Sequence, residues 1–349
     1  MVRQGEMSTS KIRNMEEFAA FSGISRPTIS RFFHDPESVR QSTREKLEQA
    51  LKQCDYRPNI FAINQNRKLT KNLGIVVPYL ADPFFAEMAR RIETLVIAAG
   101  FRPILLSSHG DPALEIENLN SLRAIKPAGV LLAPLGRTSD RMALDKFCAD
   151  VPTVSFDANI EGVGGTFIGH NNDQATSVMI EYLTRTGEPP VFFEMRKPPN
   201  PNAGKRRKAY IETMQQLGHE QQIIQVEGEG WELEEIGYLG AIQAIKRNEL
   251  SRSTVFCSND RLAIGFLTAA FELGVRVGIG PDCDLRVAGH DNHPFSRFTC
   301  PTLTTISHNY SAIAKHSVDT IMSLIESGER GSERNTKLFS GELIVRASA

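Results

Sequence analysis

A small all-α head joined to a two-lobed α/β body is the architecture this sequence predicts. Three observations lead to it. Short, capped helical segments occupy residues 14–54; from Leu73 onward, short apolar runs alternate with amphipathic stretches; and the charge changes sign between the two regions. Residues 1–72 hold 13 Lys/Arg against 8 Asp/Glu, a charge of +5, whereas the rest of the chain carries −6. A basic head on an acidic body suggests that the head alone meets a polyanion.

The chain has 349 residues, of which 41% are hydrophobic and 23% charged, as in ordinary globular proteins with a substantial core. No apolar run is long enough for a membrane span, and the start MVRQGEMSTSK lacks the apolar centre of a secretory signal. Cys54, Cys148, Cys257, Cys283 and Cys300 are odd in number, scattered and without a C-x-x-C pair. Neither a disulfide framework nor a zinc site is expected, and a reducing cytoplasm suits them.

In the head, Asn14 can cap MEEFAAF, with Glu17 three positions on completing a box-like pair. Phe18, Ala19 and Phe21 give this helix an apolar side, and Gly23 allows the turn that ends it. Ser25 caps a second helix, where Pro27 is tolerated because first-turn N–H groups have no intrahelical partner. Ile29, Phe32 and Phe33 face inward, leaving Arg26, Pro27, Ser30 and Arg31 outside. A third helix is expected from Ser42, with STRE as a capping box ahead of Leu47, Ala50, Leu51 and Cys54. Two short helices about a glycine turn, supported by a third, form a helix-turn-helix, whose second helix enters the DNA major groove by its N-terminal residues. Arg26 can fork onto guanine or reach a phosphate, and Pro27 offers apolar contact to a thymine methyl. Thr28 and Ser30 suit phosphates.

In the body, LGIVVP, RPILLS, GVLLAP, TVSFD, VFFEM, QIIQV, TVFCS and LRVAGH read as buried parallel strands. FAEMARRIETLVIAAG is one of the intervening helices, with Phe85, Met88, Ile92 and Leu95 on one face and Gly100 at its end. Roughly 270 residues of such material exceed one comfortable core, so two lobes are expected. Ligands of open α/β sheets sit beyond the carboxyl ends of the strands, here in a cleft between lobes. Strand-end candidates are Asp157, Asn259, Asp260 and Asp291; Arg206 and the sole tryptophan, Trp231, lie at helix starts. The sequence GVGGTFIGH lacks G-x-G-x-x-G spacing, and neither a Walker motif nor G-x-S-x-G occurs. His290 and His293 flank Asp291, but no further ligand cluster is identifiable, so neither metal nor cofactor is expected.

TISRFF, STREKL, YRPN and a strand beginning LGIVVP follow one another in a fixed order. This resembles the LacI/GalR family of transcriptional regulators, across almost the whole chain. The resemblance implies a leader at 1–10, a DNA-binding domain at 11–58, a hinge helix and linker at 59–72, and an effector-binding and dimerisation domain at 73–349. That last domain would carry two-lobed, periplasmic-binding-protein-like doubly wound sheets. Lobe one would comprise 73–160 with 292–323, and lobe two 161–291 with 324–349. Double-stranded operator DNA would be met by Ser25, Arg26, Pro27, Thr28, Ser30, Arg31, His34, Tyr56, Asn59, Ala62, Ile63 and Gln65. Gln65 departs from the family, which usually has a leucine wedge there; an amide cannot replace an apolar wedge between base steps.

By the same resemblance the effector would meet Phe84 or Phe85, Asp157, Asn202, Arg206, Trp231, Asn259 and Asp291. Purine-responsive members carry an arginine and a threonine near Asn200 and Asn202; with asparagine at both, a sugar, polyol or related carbohydrate is favoured over a nucleobase. The resemblance thus implies a cytoplasmic homodimeric repressor, not an enzyme, with its effector acting as inducer. No apolar heptads follow KLFSGELIVRASA, which favours a dimer over a tetramer. Alternatives left open are a phosphorylated metabolite, for which Lys205, Arg206 and Arg207 would serve, a nucleobase, or a carbohydrate-processing enzyme with an appended head.

Overall fold

The computed structural model describes residue 12 and residues 14–34, 36–54, 56, 70–250, 252–328 and 335–349. It divides into two compact units, residues 1–70 and 71–349. The expected leader and the hinge residues Asn59, Ala62, Ile63 and Gln65 lie outside the described residues.

The first unit has helices α1 (Met15–Ser22), α2 (Arg26–His34) and α3 (Gln41–Gln53), with a 3₁₀ turn at Pro36–Ser38. Asn14 caps α1: its Oδ1 accepts from the Glu17 N–H at 2.8 Å, and its Nδ2 donates to the Glu17 carboxylate at 3.0 Å. Gly23 ends α1 at φ 67°, a conformation glycine adopts without steric cost. Phe18, Ile29 and Leu47 are fully buried at the centre, with Phe32, Val39, Ala50 and Cys54 around them. Two expectations are corrected here. Phe21 is exposed, because the neighbouring turn already presents Phe18 to the core. The third helix begins at Gln41 rather than Ser42, and no side chain caps it. Its first turn is held instead by Gln41 Nε2 donating to Glu45 and by a bidentate Arg44–Glu37 pair reaching back to the 3₁₀ turn.

The second unit contains a six-stranded sheet and a four-stranded sheet, joined by a two-stranded ribbon. Five of the six strands of the first sheet are β1 (Asn72–Val77), β2 (Arg102–Ser107), β3 (Gly129–Leu132), β4 (Thr153–Phe156) and β5 (Thr166–His170), in the order 2-1-3-4-5. All its pairings are parallel. The second takes β6 (Val191–Met195), β7 (Ile223–Val226), β8 (Thr254–Cys257) and β9 (Arg286–Ala288) in the order 7-6-8-9, also parallel. Helices cover both faces of each sheet. On the first, Pro83–Ala98 and Tyr310–Ser327 bury Phe85, Met88, Ile92, Ile313 and Ile321. Pro112–Ala124 and Arg141–Asp150 bury Leu119, Leu122, Leu144 and Phe147 on the other face. On the second, Leu233–Lys246 and Asp260–Glu272 lie opposite Asn172–Thr186 and Asn202–Gln216. Both sheets reverse direction of growth beside their first strand, which opens a crevice at the carboxyl ends.

The lobe boundaries differ from those the sequence suggested. Thr166–His170 is the fifth strand of the first sheet, so that lobe continues past residue 160. The strand β11 (Asn335–Phe339) pairs with β5, whereas the expectation placed 324–349 in the second lobe. Between the lobes runs the ribbon of β10 (Thr305–Ser307) and β12 (Glu342–Ile344). The chain therefore crosses three times, near residues 170–172, 307–310 and 339–342. Three strand-like crossings side by side make a hinge that permits rotation without unfolding either core.

Candidate functional site

In the first unit, the start of α2 presents exposed Ser25, Arg26, Pro27 and Arg31, with Thr28 and Ser30 half-buried. The Ser25 and Thr28 hydroxyls are hydrogen-bonded at 2.9 Å, fixing the first turn. Arg26 pairs with Glu16, but both side chains are more than half exposed (58% and 59%), so the contact holds the arginine only weakly. Tyr56 is placed otherwise than expected: it is buried and stacked on Phe18, with ring centroids 4.6 Å apart, because an aromatic ring closes the small core better than it extends a polar face. The side chain of His34 lies outside what the structure describes.

In the second unit, a cavity of about 360 Å³ lies where the strand ends of the two sheets face each other. Phe84, Asp157, Arg206, Trp231, Asn259 and Asp291 all line it. Phe85 does not; it is 1% exposed within the first lobe's core, since adjacent helical residues point about 100° apart. Asn202 does not line it either. It stands behind Asp157, donating from Nδ2 to the Asp157 carboxylate at 2.9 Å and accepting from Asn172 at 3.2 Å. Asn259 caps the helix Asp260–Glu272 through Oδ1, which leaves its Nδ2 at the cavity.

Arg206 and Asp291 form the floor. The guanidinium donates to the Asp291 oxygens at 2.5 and 3.2 Å, to the Ser258 carbonyl at 2.8 Å and to Asn172 at 3.1 Å. His290 Nδ1 and His308 Nε2 lie 3.3 and 3.2 Å from the same carboxylate oxygen. Burial works to raise the Asp291 pKa, but Arg206 and the two imidazoles prevail and hold it well below the usual carboxylate range. Burial, with Arg206 nearby, pushes the His290 imidazole down to about 3, so it is neutral and donates. Asp291 also sits at φ 114°, a conformation that costs a non-glycine residue about 1–3 kcal/mol and persists only where surrounding bonds enforce it. The Tyr310 hydroxyl, donating to the Asp291 carbonyl, is one such bond.

His290, Asp291 and His308 offer ligand atoms within 4.8 Å of one another, so the histidine that joins Asp291 is His308 rather than His293. The Asp291 oxygen they share already accepts from Arg206 at 2.5 Å, and a second cation beside a buried guanidinium is electrostatically disfavoured. The trio is better suited to steadying a carboxylate than to holding a metal. Asp157 has neutral neighbours instead: the Asn202 amide donates to its Oδ1 at 2.9 Å, and Nε2 of His170, an imidazole held neutral by burial, lies 3.6 Å from the same oxygen. Burial raises Asp157 to about 7, with Lys205 and Arg206 opposing only in part, so near neutrality it can donate or accept. Lys205 lies over the Phe167 ring and Arg207 pairs with Glu194, so neither completes a basic trio with Arg206 at the cavity.

Sequence reasoning missed Asp82, Arg261 and Tyr310, which also line the cavity. Asp82 was legible as an N-cap: it precedes Pro83 at a helix start, and its Oδ1 accepts from the Phe84 N–H at 2.9 Å. Arg261 and Tyr310 carry no local signal, because what brings them to the cavity is the closing of one lobe on the other.

The chain matches two family models: bacterial regulatory proteins of the lacI family over residues 14–59, and a periplasmic binding protein-like domain over residues 180–349. It is 25% identical to the NTD biosynthesis operon regulator NtdR of Bacillus subtilis (strain 168) over 334 residues, covering 96% of this chain and 99% of that one. It is 26% identical to the HTH-type transcriptional repressor PurR of Histophilus somni (strain 129Pt), covering 96% and 98%. The fold is similar to that of the Lac repressor dimer bound to operator and the anti-inducer ONPF (TM-score 0.80, 22% identity, 97% and 99% covered). It is also similar to that of a LacI family transcriptional regulator from Enterococcus faecium with bound ribose (TM-score 0.66, 19% identity, 79% and 98% covered). A helix-turn-helix head matching one model, a two-lobed body matching the other and relatives spanning both lead to one conclusion: the chain belongs to the LacI family of bacterial regulatory proteins.

Proposed function

We propose that this protein is a homodimeric transcriptional repressor whose grip on operator DNA is set by a carbohydrate-type effector, a sugar, polyol or close derivative, held between the lobes. One observation carries the effector assignment: the cavity joins a fixed arginine–carboxylate pair, Arg206–Asp291, to Asp157, the amide side chain of Asn259 and the rings of Phe84 and Trp231. Vicinal hydroxyls each donate once and accept twice, which is what such a mixed lining satisfies. The basic trio that would have favoured a phosphorylated effector does not form at the cavity, because Lys205 and Arg207 are engaged elsewhere. The ribose bound by the Enterococcus faecium protein supports the same class of ligand.

In this reading, two heads of a dimer meet a pseudo-palindromic site with recognition helices one turn of DNA or a multiple apart. The effector changes operator affinity only by its differential affinity for open and closed lobes. No turnover of the effector is involved. A thermal-shift screen of the full chain against pentoses, hexoses, polyols, sugar phosphates and nucleobases tests the assignment, since ligands that bind the folded state alone raise its melting point. A shift confined to nucleobases or phosphates would replace the carbohydrate assignment, and product formation from a hit would replace the regulator by an enzyme.

A further inference from the structure

Arg261 is the one cavity-lining residue that bonds carboxylates belonging to both lobes among the described residues. Its Nη1 donates to Asp82 Oδ2, on the first lobe, at 3.0 Å. Its Nε and Nη2 donate to the two oxygens of Glu234, on the second lobe, at 2.7 and 2.6 Å. Asp82 is 7% exposed and Arg261 9%, so their ion pair is shielded from the screening that weakens surface pairs, whereas the Glu234 side chain, 40% exposed, holds Arg261 from the solvent side. Its geometry is fixed from both sides. Asp82 caps the helix that carries Phe84 to the cavity. Glu234 and Arg261 stand on helices that touch backbone to backbone: a Cβ on Gly265 would come within 2.0 Å of the Glu234 carbonyl oxygen, and one on Gly237 within 2.4 Å of the Leu262 oxygen.

The donor count adds a second fact. A guanidinium has five N–H donors. Arg206 makes four hydrogen bonds to protein acceptors. Arg261 makes three, so two of its donors have no protein acceptor while the residue borders the cavity. Charge-assisted hydrogen bonds are the strong ones, so an oxygen of a ligand in the cavity would find two donors there that no protein group claims.

Beside this triad, Trp231 of the second lobe lies within the core of the first. Its indole stacks on Tyr79 with centroids 5.2 Å apart and an interplanar angle of 12°, and it meets the edge of Phe85 at 6.1 Å. The sole tryptophan therefore reports whether the lobes are together.

We propose that Arg261 is an effector-reading residue, and that it reads with the same guanidinium that latches the lobes, by donating its two spare N–H groups to hydroxyl or carbonyl oxygens of the ligand. Occupancy and closure then become one event. The ligand class rests on the carbohydrate assignment above; the latch does not.

The test uses the full chain and the variants Arg261→Gln, Arg261→Lys and Asp82→Asn, each confirmed folded by circular dichroism. For the sugar that stabilises the wild type most, Arg261→Gln is expected to weaken binding about tenfold to a hundredfold, and Arg261→Lys less. In ligand-free protein, acrylamide should quench Trp231 more strongly in Arg261→Gln and in Asp82→Asn than in the wild type. Combining the two substitutions should add little to either, because both break one contact. Absence of any sugar hit would end the carbohydrate assignment and leave the quenching to decide the latch. Wild-type sugar affinity in Arg261→Gln, or wild-type quenching in it where no sugar binds, would overturn the proposal.

Discussion

Replacing Asp291 by Asn removes one negative charge and little volume, and so isolates the electrostatics of the cavity floor. Arg206 is 5% exposed, and two of its four hydrogen bonds end on Asp291. Without that carboxylate, the guanidinium keeps only neutral acceptors: Asn172, the Ser258 carbonyl and the single amide oxygen left at position 291. Stripping one partner from a buried ion pair costs about 3–5 kcal/mol, because the remaining charge is left uncompensated. Part of this returns: Asp157 feels Asp291 as a repelling charge, so its own ionisation becomes easier and it can act as a substitute counter-ion. The expected net loss is about 3 kcal/mol, or on the order of 10 °C in the melting point of a domain of this size. Differential scanning fluorimetry of the ligand-free chain measures it. The double variant Arg206→Met with Asp291→Asn should recover much of the loss, since removing both charges leaves nothing unpaired. A melting point within about 1 °C of wild type in Asp291→Asn would refute this account of the floor.

Other outcomes follow from the same structure. Asp291→Ala should abolish the effector response while leaving operator affinity nearly intact, as read by DNA-binding isotherms with and without the effector. Arg26→Ala should relax preference at one base position and cost about 1–3 kcal/mol there; equal weakening on all sequences would make Arg26 a phosphate contact. Asp157 holds its proton up to about 7 in the folded protein, against 3.8 for the ordinary side chain. The folded state therefore binds more protons than the unfolded one between these values, and this group's contribution to stability falls as pH rises through that window. Asp157→Asn should flatten that slope in urea melts taken across it. At Gly110, φ is 76° and a Cβ would come within 2.7 Å of the Trp231 Nε1, so Gly110→Ala should displace the indole and red-shift its emission.

Much of this architecture was legible because periodicity and burial agree. RPILLS and VFFEM coincide with β2 and β6, and Asn14 and Gly23 bound the first helix as caps should. Besides the short ribbon strands β10 and β12, two strands of the first sheet were hidden, for opposite reasons. Thr166–His170 sits in a glycine-rich string that offers no continuous apolar run, and Asn335–Phe339 is a largely exposed edge strand whose polar residues give no apolar alternation. The lobe boundaries failed with them, since both strands return to the first sheet. At the cavity, residues that end strands or start helices could be picked out one by one: Asp157, Arg206, Asn259 and Asp291. Those that depend on lobe meeting lobe could not. His308 reaches Asp291 from the next crossing, and Arg261 finds Asp82 from the far lobe. Such pairings are set by tertiary closure, to which local sequence is blind.

The central claim, that a ligand between the lobes governs the head's hold on DNA, is tested most directly by fluorescence anisotropy. The full chain is titrated into a duplex selected from a random pool, with and without the sugar that best stabilises it, over a range of salt concentrations. Tight, sequence-selective binding that weakens steeply with salt, shifts at least about tenfold with the sugar and loses that shift in Asp291→Asn is the outcome expected here. Selective binding that no cavity ligand alters, or no selectivity among duplexes even at low salt, would contradict it.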